Sequence, residues 1–222
     1  MEIVPIAYYH GPVGGKFGVP RQGSLVEGLE GRIVFVPPYN VPEALRGLDG
    51  FSRIWVIWGF SESVREEGEW SPTVRPPRLG GNERVGVWAS RSPFRPNSLA
   101  ISALRITSID FGEPSVSVEG ADLADGTPVY DIKPYIPYAD AFPDERSGFA
   151  PGAPVPSLEV TGSERLEEVF GDKDARVLKE LLSLDPRPSY QKGQSREYGM
   201  TYLGRNVRFR VDGAKLTITS IE

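Results

Sequence analysis

A chain of 222 residues, 39% apolar and 25% charged, is long enough for one large β domain or for a medium domain with a small one beside it, and it has the make-up of an ordinary globular protein. It has no cysteine and one histidine, His10, which excludes disulfides, thiolate metal sites and a cysteine nucleophile, and argues against a multi-histidine metal centre or a Ser-His-Asp triad. The net charge is −5, yet residues 72–108 hold six arginines against one glutamate, and residues 186–210 hold six basic residues against one glutamate, a local +5 in each case. Two basic islands on an acidic chain suit an anionic ligand or an RNA surface. No apolar run approaches membrane length and no signal peptide opens the chain, so a cytoplasmic protein without metal or membrane partner is expected.

In chain order, Glu2 to His10 reads as a strand, ended by Gly11-Pro12. Lys16 to Ser24 is a loop. Gly31 to Val36 is a strand closed by two prolines, and Val41 to Leu48 suits a short helix. Arg53 to Phe60, nearly all apolar, reads as a strand buried on both faces. Ser61 to Asn82 is a long polar loop of the kind that carries function. Further strands are expected at Val85–Ala89, Leu99–Ser108, Ser115–Gly120 and Thr127–Ile132. Many short strands with Pro/Gly punctuation indicate a barrel or a sandwich over residues 1–140.

Residues 140–157 hold four prolines and two glycines and read as a connection. Beyond it, Ser163 to Ser183 has helical spacing, with Ser163 as N-cap candidate and a break at Gly171. Three strands follow, Glu197–Leu203, Asn206–Val211 and Leu216–Ile221, the last two joined by the hairpin signal Asp212-Gly213. Residues 157–222 are thus a small α+β module.

Two stretches are richer in chemistry than their turns require. In Arg91-Ser-Pro-Phe-Arg-Pro-Asn97, two prolines stiffen a loop that carries Arg91 and Arg95, whose planar guanidinium forks suit carboxylates and phosphates. Asp125-Gly-Thr-Pro-Val-Tyr-Asp-Ile-Lys-Pro-Tyr135 puts Asp131 and Lys133 on one face of a strand, as a surface ion pair or as working groups. No glycine-rich loop sits between a strand and a helix, so a Rossmann-type site is not expected.

With Lys16-Phe-Gly-Val-Pro-Arg-Gln22, Arg46-Gly-Leu-Asp-Gly-Phe-Ser52, Thr73-Val-Arg-Pro-Pro-Arg-Leu-Gly-Gly-Asn82 and Asp185-Pro-Arg-Pro-Ser-Tyr190, these motifs occur in an order that resembles the TsaA-like family over nearly the whole chain. The family comprises tRNA methyltransferases that act on N6-threonylcarbamoyladenosine beside the anticodon. The resemblance implies a mainly β protein: an N-terminal β-barrel over 1–140 that binds S-adenosylmethionine, then the α+β module at 157–222 facing tRNA, working as a homodimer. It carries cofactor contacts onto Pro20, Arg21 and Gln22, onto Arg91 and Ile101, and onto Asp125, Gly126, Thr127 and Pro128. A further contact pair, usually His-Gln, falls here on Ser61 and Glu62, and Ser98 stands where the family commonly has proline. Trp88, Phe94 and Tyr130 are candidate neighbours of the sulfonium, Asp131 a candidate base and Lys133 a candidate ligand of the threonyl carboxylate. The module is expected to serve tRNA rather than the cofactor, so a chain ending near Pro156 would keep its cofactor affinity. The rival readings are a barrel that methylates another small acceptor and a binding module without turnover.

Overall fold

A computed structural model describes residues 2–15, 17–60, 70–187 and 196–222. Six strands close into an antiparallel barrel: β1 (Ala7–His10), β3 (Glu30–Phe35), β4 (Arg53–Gly59), β7 (Leu99–Asp110), β8 (Ser115–Glu119) and β9 (Thr127–Pro134), in the order β1-β3-β8-β7-β4-β9. Inward positions carry Ala7, Ile33, Ile54, Val56, Leu104, Val116, Val118 and Val129, all fully buried. Each of the larger of these side chains contributes about 1.5–3 kcal/mol by leaving water. The barrel alternates along β4, where every second residue is buried and those between are half-buried. The expectation of a strand buried on both faces is corrected: in a closed barrel one face of each strand looks outward.

Two register shifts turn the corners, one in the β7–β8 pairing between Ile106 and Ser108 and one in the β4–β9 pairing between Ile57 and Trp58. The second leaves Tyr130 without a partner opposite β4, and its ring lies over Gly59, where a Cβ would sit 2.7 Å from Tyr130 Cε2. The run Val85–Ala89 is a strand for two residues only, β6 (Val85–Gly86), paired with β5 (Thr73–Val74). It then tightens into a 3₁₀ turn over Val87–Ala89, with Val87 buried and Trp88 outside.

The second body is a five-stranded sheet, ordered β10 (Glu159–Thr161), β13 (Lys215–Ile221), β12 (Arg205–Asp212), β11 (Glu197–Tyr202) and β2 (Val13–Gly14). Helix α2 (Glu164–Ser183) covers it, burying Leu166, Val177, Leu178, Leu181 and Leu182. Gly171, at φ 75° and ψ 168°, breaks the helix where the sequence suggests, and Ser163 makes no side-chain cap hydrogen bond. A short helix, α1 (Pro137–Asp140), follows β9, and most of residues 141–157 after it are exposed.

β2 belongs to the N-terminal part of the chain. It pairs with β11 through Val13–Tyr202 and Gly14–Thr201. Val13, Val26 and Leu29 are buried in the core that holds Leu166, Met200, Tyr202 and Phe209, with Val19 and Leu25 packed on its edge. The segment between β2 and β3 is therefore built into the C-terminal body, although it belongs to the barrel in sequence.

Candidate cofactor site

One cavity of about 540 Å³ opens where the 13–29 segment meets the barrel rim. That is within the size range of small-ligand sites. Pro20, Arg21 and Gln22 form one side, Ser90 and Arg91 another, and Trp58, Phe60 and Ile101 supply flat or apolar wall. The two prolines of the Arg91 loop hold it rigid, and its own side chains finish the turn. Ser98 Oγ donates to the Pro93 carbonyl at 3.1 Å, and Arg95 Nη1 donates to the carbonyls of Ser90 at 2.6 Å and Val87 at 3.1 Å. Arg95 is thus a staple of its own loop, while Arg91 Nη1 crosses the cavity mouth to donate to Gln22 Oε1 at 2.5 Å. Ser98 takes a φ of +44°, which a proline ring cannot adopt, so the change at 98 comes with its own backbone shape.

Of the expected contacts, Pro20, Arg21, Gln22, Arg91, Ile101 and Thr127 line this one cavity. Asp125, Gly126 and Pro128 are not among its lining residues. Asp125 turns to the other side of its loop: its Oδ1 accepts from the Gly11 backbone N–H at 3.2 Å and lies 3.3 Å from His10 Nδ1, half-exposed. Ser61 and Glu62 lie outside the described residues, as do Lys16 and the last residues of the Asp185 motif. Asp131 and Lys133 form an exposed ion pair at 2.9 Å and are not among the cavity's lining residues.

The carboxylate that does line the cavity is Asp122, which sequence reasoning missed. Ser102 Oγ, 4% exposed, donates to Asp122 Oδ1 at 2.5 Å, and Trp58 Nε1 donates to Ser102 Oγ at 2.9 Å. Since the Ser102 oxygen already accepts from Trp58, its single proton points at Asp122. Burial pushes the Asp122 carboxyl above the usual carboxylate range, against the pull of Ser102, of the backbone N–H groups of Asp122 and Gly23, and of the positive Arg91.

Outside the cavity, Trp70 and Trp88 stack at 6.0 Å, 45% and 66% exposed, and Arg95 lies 5.4 Å from the Trp88 ring centre. Arg75 and Arg84, next to the β5–β6 ribbon in sequence, are exposed, and Arg84 Nη1 donates to Thr73 Oγ1 at 2.7 Å. The basic islands are less open than the sequence suggests. Arg105 is paired with Glu119, and Arg187 is buried beside Asp185 at 2.8 Å. Arg208 and Arg210 both reach Glu197, at 3.7 and 3.5 Å. Among the described residues no group of His, Asp or Glu could hold a metal ion, and no helix is long and apolar enough to cross a membrane.

Fold and site together define a β-barrel protein with a cofactor-sized cavity, set against an α+β module. Residues 8–141 match the tRNA-methyltransferase O N-terminal domain, and residues 156–222 match the TrmO C-terminal domain. The chain belongs to the tRNA-methyltransferase O family, the TsaA-like group that its motifs resemble. It is 40% identical over 229 residues to the tRNA (adenine(37)-N6)-methyltransferase of Escherichia coli K12, with 98% of this chain and 96% of that one covered. A protein of the same name from Eikenella corrodens is 44% identical over 173 residues, 77% of this chain and 97% of its own. The crystal structure of TrmO from Pseudomonas aeruginosa superimposes with a TM-score of 0.78 at 27% identity, covering 100% of this chain and 98% of that one.

Proposed function

We propose that this chain is an S-adenosylmethionine-dependent methyltransferase that acts on N6 of adenine 37 of tRNA, in its threonylcarbamoylated form. The observation that carries this is family membership across both parts of the chain, joined to a cavity lined by six of the residues that the resemblance assigns to the cofactor. The cavity fits the group. Trp58, Phe60 and Ile101 offer surface for adenine, and Arg91 has donors left after Gln22 for a carboxylate. When bound, the cofactor supplies a methyl group on a sulfonium. The chain's part is placement: the rigid Arg91 loop and Gln22 fix the amino-acid end, and apolar walls keep water from the transferred carbon. The acceptor nitrogen is urea-like and a weak nucleophile, so alignment matters more here than acid–base help. Asp131 and Lys133 are paired with each other and do not line the cavity.

In the same reading, residues 1–140 hold the cofactor and residues 157–222 contact tRNA while also supporting the loop at 13–29. Asp125, Gly126 and Pro128 shape the loop that presents Thr127. A homodimer and a cytoplasmic location complete it. Sedimentation of the free protein reads the assembly directly. Incubation with labelled S-adenosylmethionine and tRNA carrying threonylcarbamoyladenosine should transfer label to RNA. Transfer to a small acceptor but not to tRNA would favour the rival barrel methyltransferase.

A further inference from the structure

A cofactor with an amino-acid end brings an ammonium and a carboxylate a few ångströms apart, and a pocket that recognises both needs an anion beside a cation. Two aspartates are near enough in sequence to serve, and the structure separates them. The Asp125 carboxylate is committed to Gly11 and His10 on the outer side of its loop. The Asp122 carboxylate lines the cavity with Arg91 and sits against Gly23, next to Gln22; a Cβ on Gly23 would lie 3.4 Å from Asp122 Oδ1. We propose that Asp122, and not Asp125, holds the α-ammonium of S-adenosylmethionine, with Arg91 taking the adjacent carboxylate.

This inference rests on the cofactor reading above and deepens it. The Trp58–Ser102–Asp122 chain has a direction: two donors in series end on the carboxylate and fix its plane. A buried carboxylate held by donors is a ready anionic ligand, and its charge is left without a full counterpart. Arg91 is the cation that faces it, and Arg91 also bonds Gln22. Tyr9 on β1 and Asp125 on the same loop add no positive charge; burial, and after it the charges of Asp125 and Asp122, push the Tyr9 hydroxyl upward. Burial therefore leaves Asp122 easier to protonate than an ordinary aspartate, and a bound ammonium reverses this. Affinity is then full above the free protein's Asp122 pKa and falls as the pH drops below it, because a proton must leave before the ammonium can bind.

The test is calorimetric titration with two ligands: S-adenosylhomocysteine, and its analogue with a keto group in place of the α-amino group. The wild type should bind the keto analogue about ten- to a hundredfold more weakly, the range for a charge-assisted hydrogen bond. Asp122→Asn should bind S-adenosylhomocysteine more weakly by a similar factor and lose its preference between the two. Asp125→Asn should keep the full preference. A second reading needs no variant: acidification should weaken binding of S-adenosylhomocysteine to the wild type and leave the keto analogue unaffected. An Asp122→Asn protein that still prefers the amino ligand, or a wild type whose two affinities fall together with pH, overturns the placement alone. A wild type that binds neither ligand overturns the cofactor reading itself.

Discussion

Arg21 Nη2 donates to the backbone carbonyl of Arg187 at 3.2 Å, across 166 residues of sequence. Arg21 stands on the cavity loop, and Arg187 is fixed in the C-terminal body by Asp185, whose Oδ1 accepts from the Arg187 backbone N–H at 3.3 Å and from its Nε at 2.8 Å. With β2 paired to β11, and Val13, Val26 and Leu29 in the second core, the loop that lines the cavity is anchored in the C-terminal module. A chain ending near Pro156 would expose these side chains, so it should lose cofactor affinity, against the expectation that it keeps it; calorimetry on the truncated chain reads the difference.

The Asp185–Arg187 pair gives a point test. Both side chains are almost fully buried, and Asp185 takes a φ of +58°. Asparagine tolerates that backbone but removes the charge. Asp185→Asn should destabilise the protein by about 3 kcal/mol, the cost of stranding a buried charge. At a temperature where the variant is still folded, it should also bind S-adenosylmethionine more weakly, because the carbonyl that Arg21 grips is no longer held. A variant with lowered Tm and unaltered cofactor affinity would separate the pair from the loop.

The barrel was legible because its strands are short, β-branched and punctuated by Gly and Pro, and the helix because Leu166, Val177, Leu178, Leu181 and Leu182 keep helical spacing. The Asp125-Gly126 turn and the Arg91 loop announced themselves by composition. Asp122 did not, since what marks it is Ser102, twenty residues away on another strand, and that contact exists only after closure of the barrel. The same holds for residues 13–29. Nothing in Val13, Val26 or Leu29 says which of two cores will bury them. Trp88 was read as part of a strand because its neighbours are apolar, yet the 3₁₀ turn sends Val87 inward and Trp88 out.

That outward Trp88 is an expected RNA contact. Stacked on Trp70 and backed by Arg95, it offers a flat face to an unpaired base. Base stacking on such a ring is worth about 1–3 kcal/mol. Trp88→Ala should lower tRNA affinity by roughly tenfold or more while leaving S-adenosylmethionine affinity as it is. Filter binding and calorimetry check the two halves; equal tRNA affinity in the variant would take the platform out of the interface.

Stability of the barrel turns on Tyr9, 1% exposed, whose ring lies against both Gly11 and Gly31; a Cβ on either would fall inside its van der Waals surface. Gly31→Ala should destabilise by about 1–3 kcal/mol through overpacking. Gly50, with open space where its Cβ would be, should tolerate alanine to within about 0.5 kcal/mol. Denaturant midpoints with unchanged slopes read both effects.

The central claim is tested most directly on the RNA product. Bulk tRNA bearing threonylcarbamoyladenosine, treated with the protein and S-adenosylmethionine, is digested to nucleosides and resolved by mass spectrometry. The account predicts conversion of threonylcarbamoyladenosine to a species one methyl group heavier, with the methyl on N6, and no other nucleoside changed. Threonylcarbamoyladenosine left unmethylated by a protein that binds the cofactor, or a methyl found on a different nucleoside, would contradict it.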